Sequence, residues 1–307
     1  MNFEGILFFP VTPFTGDGHV DVALLKEHIA SRLPFSPGGI FPACGTGEFH
    51  ALSLAEVGTV VRAAVEVVNG AAPVIAGAGG PLGHALDVAR AAEEAGADGL
   101  LVLPPYLVGA PVEGLVAYIE AIAGATGLPV IVYHRANAKF TAAAMVALAG
   151  NPKVIGFKDG IGDVGLAQEI VSAVRATGRE DFLFFNGLLT AELTQGAYRG
   201  LGMPLYSSAA FAMAPEIATA YYRAYIDGNE ERREELIAGF YAPLVRLRDE
   251  TPGFGVSLIK AGLRQSGLAV GSVRPPLVNP TAEQEARLAA ILAKGHELAA
   301  SHTLANA

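Results

Sequence analysis

The chain of 307 residues has a single cysteine, Cys44, which rules out an internal disulfide framework and suits a reducing compartment. It also lacks any run of lysine and arginine. Its 21 basic residues face 30 acidic ones, for a formal net charge of −9, whereas a nucleic-acid partner needs clustered cations to neutralise phosphates. No uninterrupted apolar stretch supplies the ~20 residues of a membrane-spanning helix. Hydrophobic residues make up 51% of the chain, but runs such as Gly99–Pro111 are cut by proline and glycine. The opening Met1-Asn2-Phe3-Glu4 lacks the positive region of a secretory leader, so the expected location is the cytoplasm. Charged residues reach only 17%. These absences leave a soluble, core-rich α/β chain, long enough for two domains or for one barrel of ~250 residues with an addition.

What is present is an alternation. Short apolar runs recur at Ile6–Val11, Gly39–Cys44, Val74–Gly79, Gly99–Pro104, Val130–His134, Val154–Asp159, Phe182–Gly187 and Leu205–Ser208. They are continuous rather than alternating, as expected of parallel strands buried on both faces. Helical patterns lie between them at Leu54–Val68, Leu82–Ala95, Val112–Gly124, Ala142–Ala149, Asp163–Ala176 and Thr190–Arg199. Ser53 with Glu56 forms a capping box for the first of these. Eight strand–helix units are the number that closes a (β/α)8 TIM barrel. An open dinucleotide-binding sheet would draw on Gly77-Ala78-Gly79-Gly80, but Leu82 stands where the last glycine belongs and no ribose-binding acid follows. Ala214–Ile226 completes the barrel, predicted over residues 1–227. Residues 228–307 read as a helical extension packed on it: Glu230–Arg248, Gly255–Ser266 and Thr281–Leu298, with a Pro-rich connection at Gly271–Pro280 and a frayed tail after Ser301.

Catalytic groups of such a barrel lie at the C-terminal ends of its strands. Those ends read Phe9-Pro10-Val11-Thr12, Cys44-Gly45-Thr46-Gly47-Glu48, Pro104-Pro105-Tyr106, Tyr133-His134-Arg135, Lys158-Asp159, Asn186-Gly187 and Ser207-Ser208. Lys158 is one of only six lysines and ends an apolar run. Val154, Gly156 and Lys158 share a face by alternation, and Gly156 leaves room beside the long side chain. Desolvation there lowers an amine's pKa and frees it to attack a carbonyl carbon. The competing role is an ion pair with Asp159 or Glu48. Tyr133 ends the preceding strand, one gap of ~4.8 Å away, where a phenol can shuttle protons; otherwise it is a core aromatic. The turn at Gly45-Thr46-Gly47 offers amides and a hydroxyl to a carboxylate, or is a plain turn with glycine in left-handed conformation. Cys44 reads as a core residue. A metal site finds no support, since His134 is the lone strand-end histidine and neither H-x-H nor H-E-x-x-H occurs.

Together the Gly-Thr-Gly-Glu turn at 45–48, Pro104-Pro105-Tyr106, Tyr133 and Gly156-Phe157-Lys158-Asp159 resemble the dihydrodipicolinate synthase / N-acetylneuraminate lyase family of Schiff-base barrels, over nearly the whole chain. The resemblance implies that Lys158 forms the imine and Tyr133 moves protons. It implies that Gly45, Thr46 and Gly47 hold a 2-oxo acid's carboxylate, that Tyr106 reaches a neighbouring subunit, and that the assembly is a dimer or tetramer. No cofactor is implied beyond the imine on Lys158. Two departures argue against synthase activity. Gly45 replaces a hydroxyl residue, and Tyr133 is followed by His134-Arg135-Ala136-Asn137 rather than by asparagine, a proline and an arginine.

The strings Ala43–Phe49, Phe157–Gly160 and Tyr206–Ala209 are most similar to family members that dehydrate and decarboxylate 5-dehydro-4-deoxyglucarate. The expected partner is therefore a small 2-oxo sugar diacid. Arg135, Asn186, Ser207 or Ser208 would contact its distal hydroxyls and C1 carboxylate. A class I aldolase of the same family and a non-catalytic sugar-acid binding barrel remain the alternatives.

Overall fold

The computed structural model describes Met1 and residues 3–301; the tail read as frayed lies outside the described residues. Eight parallel strands, β1 Leu7–Phe8, β2 Gly39–Ile40, β3 Ile75–Ala78, β4 Gly99–Val102, β5 Val130–His134, β6 Val154–Asp159, β7 Leu183–Asn186 and β8 Leu205–Ser208, follow the order β2-β1-β8-β7-β6-β5-β4-β3. A parallel bridge from Ile40 to Val74 joins the two ends, so the sheet closes into the (β/α)8 barrel that the alternation predicts. Gly77, within β3, belongs to that seam: a Cβ there would collide with the Ala43 carbonyl, so this glycine serves strand packing.

Two apolar layers result. Leu7, Phe41, Ile75, Leu101, Ile131 and Phe185 fill the barrel, while a larger cluster joins the strands' outer faces to the surrounding helices. The helix Leu54–Val68 begins on its capping box, in which the Ser53 Oγ accepts from the Glu56 N–H and the Glu56 carboxylate accepts from the Ser53 N–H. Its Val57, Val60, Val61, Ala64 and Val68 are buried. The sequence reading assigns no helix between the first two strands. One exists at Val22–Ala30, nine residues with little apolar stripe, started by the Asp21 side chain accepting from the Leu24 N–H. The stretch read as one helix over Thr190–Arg199 is instead a 3-10 turn, Ala191–Leu193, and a helix, Gln195–Gly200.

Beyond Gly228, Glu230–Arg248 is one rod with a π-turn at Ile237–Tyr241. Phe254–Gln265 and Ala282–Ser301 follow, the latter capped by Thr281 and Gln284 bonding reciprocally. These helices pack on the barrel's last helices, and Lys260 reaches the β2 turn to pair with Glu48 at 2.6 Å, both side chains fully buried. Among the described residues no helix is long and apolar enough to cross a membrane.

Candidate active site

A cavity of about 530 Å³ opens at the C-terminal ends of the strands, and Lys158 is in its wall. Strand register places Tyr133 of β5 directly opposite Lys158 of β6. The Lys158 Nζ lies 4.0 Å from the centroid of the Tyr133 ring and 4.8 Å from that of Phe9. Among the described residues no carboxylate pairs with it: Asp159 engages the Ile161 and Gly162 amides and the Tyr198 hydroxyl, while Glu48 is taken by Lys260. Burial, with the Arg135 charge nearby, therefore drives the Lys158 pKa down, and only the Tyr133 and Cys44 side chains oppose it.

Val154 does not share the inward face of Gly156 and Lys158 that alternation predicts. A register shift between β5 and β6 places Ile155 against the barrel interior and Val154 in the outer layer. Gly156 faces inward with Lys158, but the space it leaves is filled by Phe185, whose ring lies 2.8 Å from where a Cβ would stand. Gly187 is the residue that makes room for the lysine. A Cβ there would lie 2.7 Å from the Lys158 Cγ and 2.9 Å from its Cε. Gly160 does the same for Tyr133, at 2.7 Å from a ring carbon.

The Tyr133 hydroxyl donates to the Gly187 carbonyl at 3.0 Å and accepts from the Arg135 Nη1 at 2.8 Å. Burial alone would raise this phenol's pKa, but the Lys158 and Arg135 charges and the Arg135 hydrogen bond outweigh it, and the net direction is down. Amine and phenol are thus both displaced downward from their ordinary alkaline values, and they lie close enough to exchange a proton.

The Thr46 turn forms another part of the wall. Among the described residues, neither the N–H groups of Gly45 and Thr46 nor the Thr46 hydroxyl has a hydrogen-bond partner. Uncommitted amides with a hydroxyl make an anion cradle. Its shape does not come from glycine conformation, because the left-handed residues here are Ala43, φ 50°, and Glu48, φ 58°. Glu48 anchors it by pairing with the Lys260 charge and accepting from the Arg274 N–H at 2.8 Å, and Thr12 donates to the Gly47 carbonyl at 2.7 Å. Left-handed non-glycine residues recur at this end of the barrel, with Leu107, Ala136 and Thr190 after β4, β5 and β7. Such strain collects where a fold holds functional loops.

Of the predicted contacts, Gly45, Thr46, Tyr133, Arg135, Lys158 and Ser207 line the cavity. The structure does not bring the other four there. Asn186 and Ser208 point out of the barrel, Asn186 to Ala191, Thr194 and Gln195, and Ser208 to Glu192. Gly47 is buried beneath the turn, and Tyr106 is 63% exposed outside the cavity. Missed by the sequence reading are Leu188–Thr190 and the segment Arg248–Val256, which folds over the mouth. Cys44 is a core residue, its thiol pushed up to about 12 by burial.

A strand-end lysine without an acid partner, a phenol beside it and an anion cradle agree with a family model, that of the dihydrodipicolinate synthetase family, which matches residues 2–295. The chain belongs to that family. Within the dihydrodipicolinate synthetase family it is 54% identical over 306 residues to a Streptomyces griseus subsp. griseus protein named "Probable 5-dehydro-4-deoxyglucarate dehydratase", covering 99% of this chain and 95% of that one. A Streptomyces coelicolor relative named "Probable 5-dehydro-4-deoxyglucarate dehydratase 1" is 51% identical, covering 96% and 94%. The crystal structure of dihydrodipicolinate synthase from Oceanobacillus iheyensis superposes with a TM-score of 0.88 at 26% identity, covering 96% of this chain and 97% of that one.

Proposed function

We propose that the protein is a Schiff-base lyase that dehydrates and decarboxylates 5-dehydro-4-deoxyglucarate to 2,5-dioxopentanoate. The observation that carries this reading is the buried Lys158 amine without an acid partner, set against Tyr133 and facing the Thr46 cradle. The names of the relatives support the choice of substrate.

In this reading the C6 carboxylate sits on the free amides and hydroxyl of the Thr46 turn. That presents the C5 ketone to Lys158, which attacks as the neutral amine its burial favours. Loss of water from the carbinolamine gives an iminium that acidifies C4. Tyr133, left as the phenolate after protonating the carbinolamine's departing hydroxyl and stabilised by the Arg135 cation on its oxygen, takes the C4 proton and passes it to the C3 hydroxyl, which leaves as water. The resulting iminium is conjugated from nitrogen to C3. Electrons of the C1–C2 bond flow into it as CO2 departs, leaving an enol at C2 and a dienamine. Protonation at C3 and C4 and hydrolysis of the imine give the aldehyde product and return the free lysine. No cofactor enters this sequence. Tyr106, with Leu107 and Val108 an exposed apolar tip, is assigned to contact with a second copy in a dimer or tetramer, which sedimentation of a Leu107→Glu variant tests by dissociation.

The test is incubation with 5-dehydro-4-deoxyglucarate. The proposal expects one CO2 per substrate consumed, with 2,5-dioxopentanoate as product. Pyruvate released without CO2 would make the enzyme an aldolase, and no turnover or adduct would leave a binding barrel.

A further inference from the structure

A diacid presents two carboxylates, and the Thr46 cradle accounts for one. Resting on the proposed function, we infer that Arg248 holds the second, distal carboxylate and so sets the preference for diacids over monoacids. Arg248 comes from the end of the Glu230–Arg248 rod rather than from a strand end, and it lines the cavity beside Thr190. Its side chain is only 14% exposed although its Asp249 neighbour is 60% exposed, so the cation is turned inward and its acid partner outward.

The guanidinium is held at two points. Nε donates to the Asp249 carboxylate at 2.7 Å and Nη1 to the Thr190 hydroxyl at 2.8 Å. Among the described residues Nη2 has no hydrogen-bond partner. Thr190 has φ 55°, a conformation unfavourable for a β-branched residue, and its hydroxyl goes to Arg248. A strained residue that orients a cation in a cavity wall marks a binding position rather than a surface ion pair.

The placement also fits the substrate's direction. Thr46 follows β2, while Thr190 follows β7, beside the Lys158 strand and three strands around the barrel from β2. A chain whose C6 end is fixed at β2 and whose C5 is bonded to Lys158 on β6 sends its C1 end toward that side. Arg135 is also there, but its Nη1 is committed to the Tyr133 hydroxyl. Arg135 is thereby tied to the proton-transferring phenol, and with Asn186 and Ser208 turned out of the barrel Arg248 offers its Nη2 to the distal carboxylate. Departing CO2 carries no charge for a guanidinium to hold, so Arg248 acts on substrate binding and its removal should raise KM more than it lowers kcat.

The experiment compares wild type, Arg248→Gln and Thr190→Ala. Each is assayed with 5-dehydro-4-deoxyglucarate, with the analogue carrying CH2OH in place of the C1 carboxylate, and by borohydride trapping of pyruvate, which has no distal group. Loss of a charge-assisted hydrogen bond predicts a rise in KM of roughly 10- to 100-fold for the diacid in Arg248→Gln. A smaller rise is expected in Thr190→Ala, with little change for the analogue and pyruvate trapped at the wild-type rate. An equal loss of pyruvate trapping, or an unchanged diacid KM in either variant, overturns the assignment. If Arg248→Gln does not fold, Thr190→Ala decides by the same criterion. Wild type that traps no 2-oxo acid overturns the lyase reading and this assignment together; wild type that turns over the diacid while the variants fail to discriminate overturns this assignment alone.

Discussion

Replacing Gly187 by alanine tests whether the lysine's position is set by the space that glycine leaves. Gly187 is outside the left-handed region, so alanine is strained there only by contact. The new methyl would lie 2.7 Å from the Lys158 Cγ and 2.8 Å from the Asp159 carbonyl oxygen, where ordinary contact begins at 3.4 Å. The carbonyl belongs to β6 and cannot yield cheaply, so the lysine stem must move by about 0.7 Å. Overpacking of this kind costs about 1–3 kcal/mol, which lowers Tm by a few degrees in a chain of this size. Misplacing a reacting group by ~1 Å can cost ~100-fold in rate, so imine formation should slow roughly 10- to 100-fold. The assay is the rate of borohydride trapping with pyruvate, read by intact mass, beside a thermal melt. Gly58→Ala, on the helix Leu54–Val68 with nothing within 4 Å of the new methyl, is the control. Trapping by Gly187→Ala at the wild-type rate would refute the spatial argument.

Three further predictions concern charge. Arg135 helps to hold the Lys158 pKa down, so Arg135→Ala should move the rising limb of the pH–trapping profile to higher pH, and an unmoved limb contradicts it. Glu192 is buried and its carboxyl is pushed up to about 7 from 4.5, so the folded state holds the proton more tightly than the unfolded one. The stability this gives is complete below pH 4.5 and is lost as pH rises through 7, a total of about 3 kcal/mol. Glu192→Gln should flatten that part of the stability–pH curve, measured by chemical denaturation. Glu48→Gln or Lys260→Met leaves one partner of a buried ion pair alone and should cost about 3–5 kcal/mol, with the double replacement costing less than the sum. Additive losses would show that the two are not coupled.

The barrel was legible because buried parallel strands read as continuous apolar runs, and Lys158 and Tyr133 because each interrupts such a run at its end. The inward or outward direction of a strand-end residue was harder to read. Phe185 and Ser207 face the interior, so Asn186 and Ser208, one position on, face the helices, a consequence of alternation that position at a strand end does not reveal. A bulge in β6 reversed the face of Val154 for the same kind of reason. The roles of Arg248, Thr190 and Lys260 depend on how the C-terminal helices fold back over the mouth and the β2 turn, contacts between residues far apart in sequence. Arg248 ends a charge-dense helix and carries no local signal that sets it apart from its neighbours.

The central claim is that one lysine imine serves both eliminations. Its most direct test is a borohydride quench during turnover of 5-dehydro-4-deoxyglucarate, followed by peptide mass mapping. A reduced adduct on the peptide containing Lys158, including the five-carbon species left after CO2 has departed, is the predicted result. Turnover with no adduct at Lys158, or with the adduct on another lysine, would contradict it.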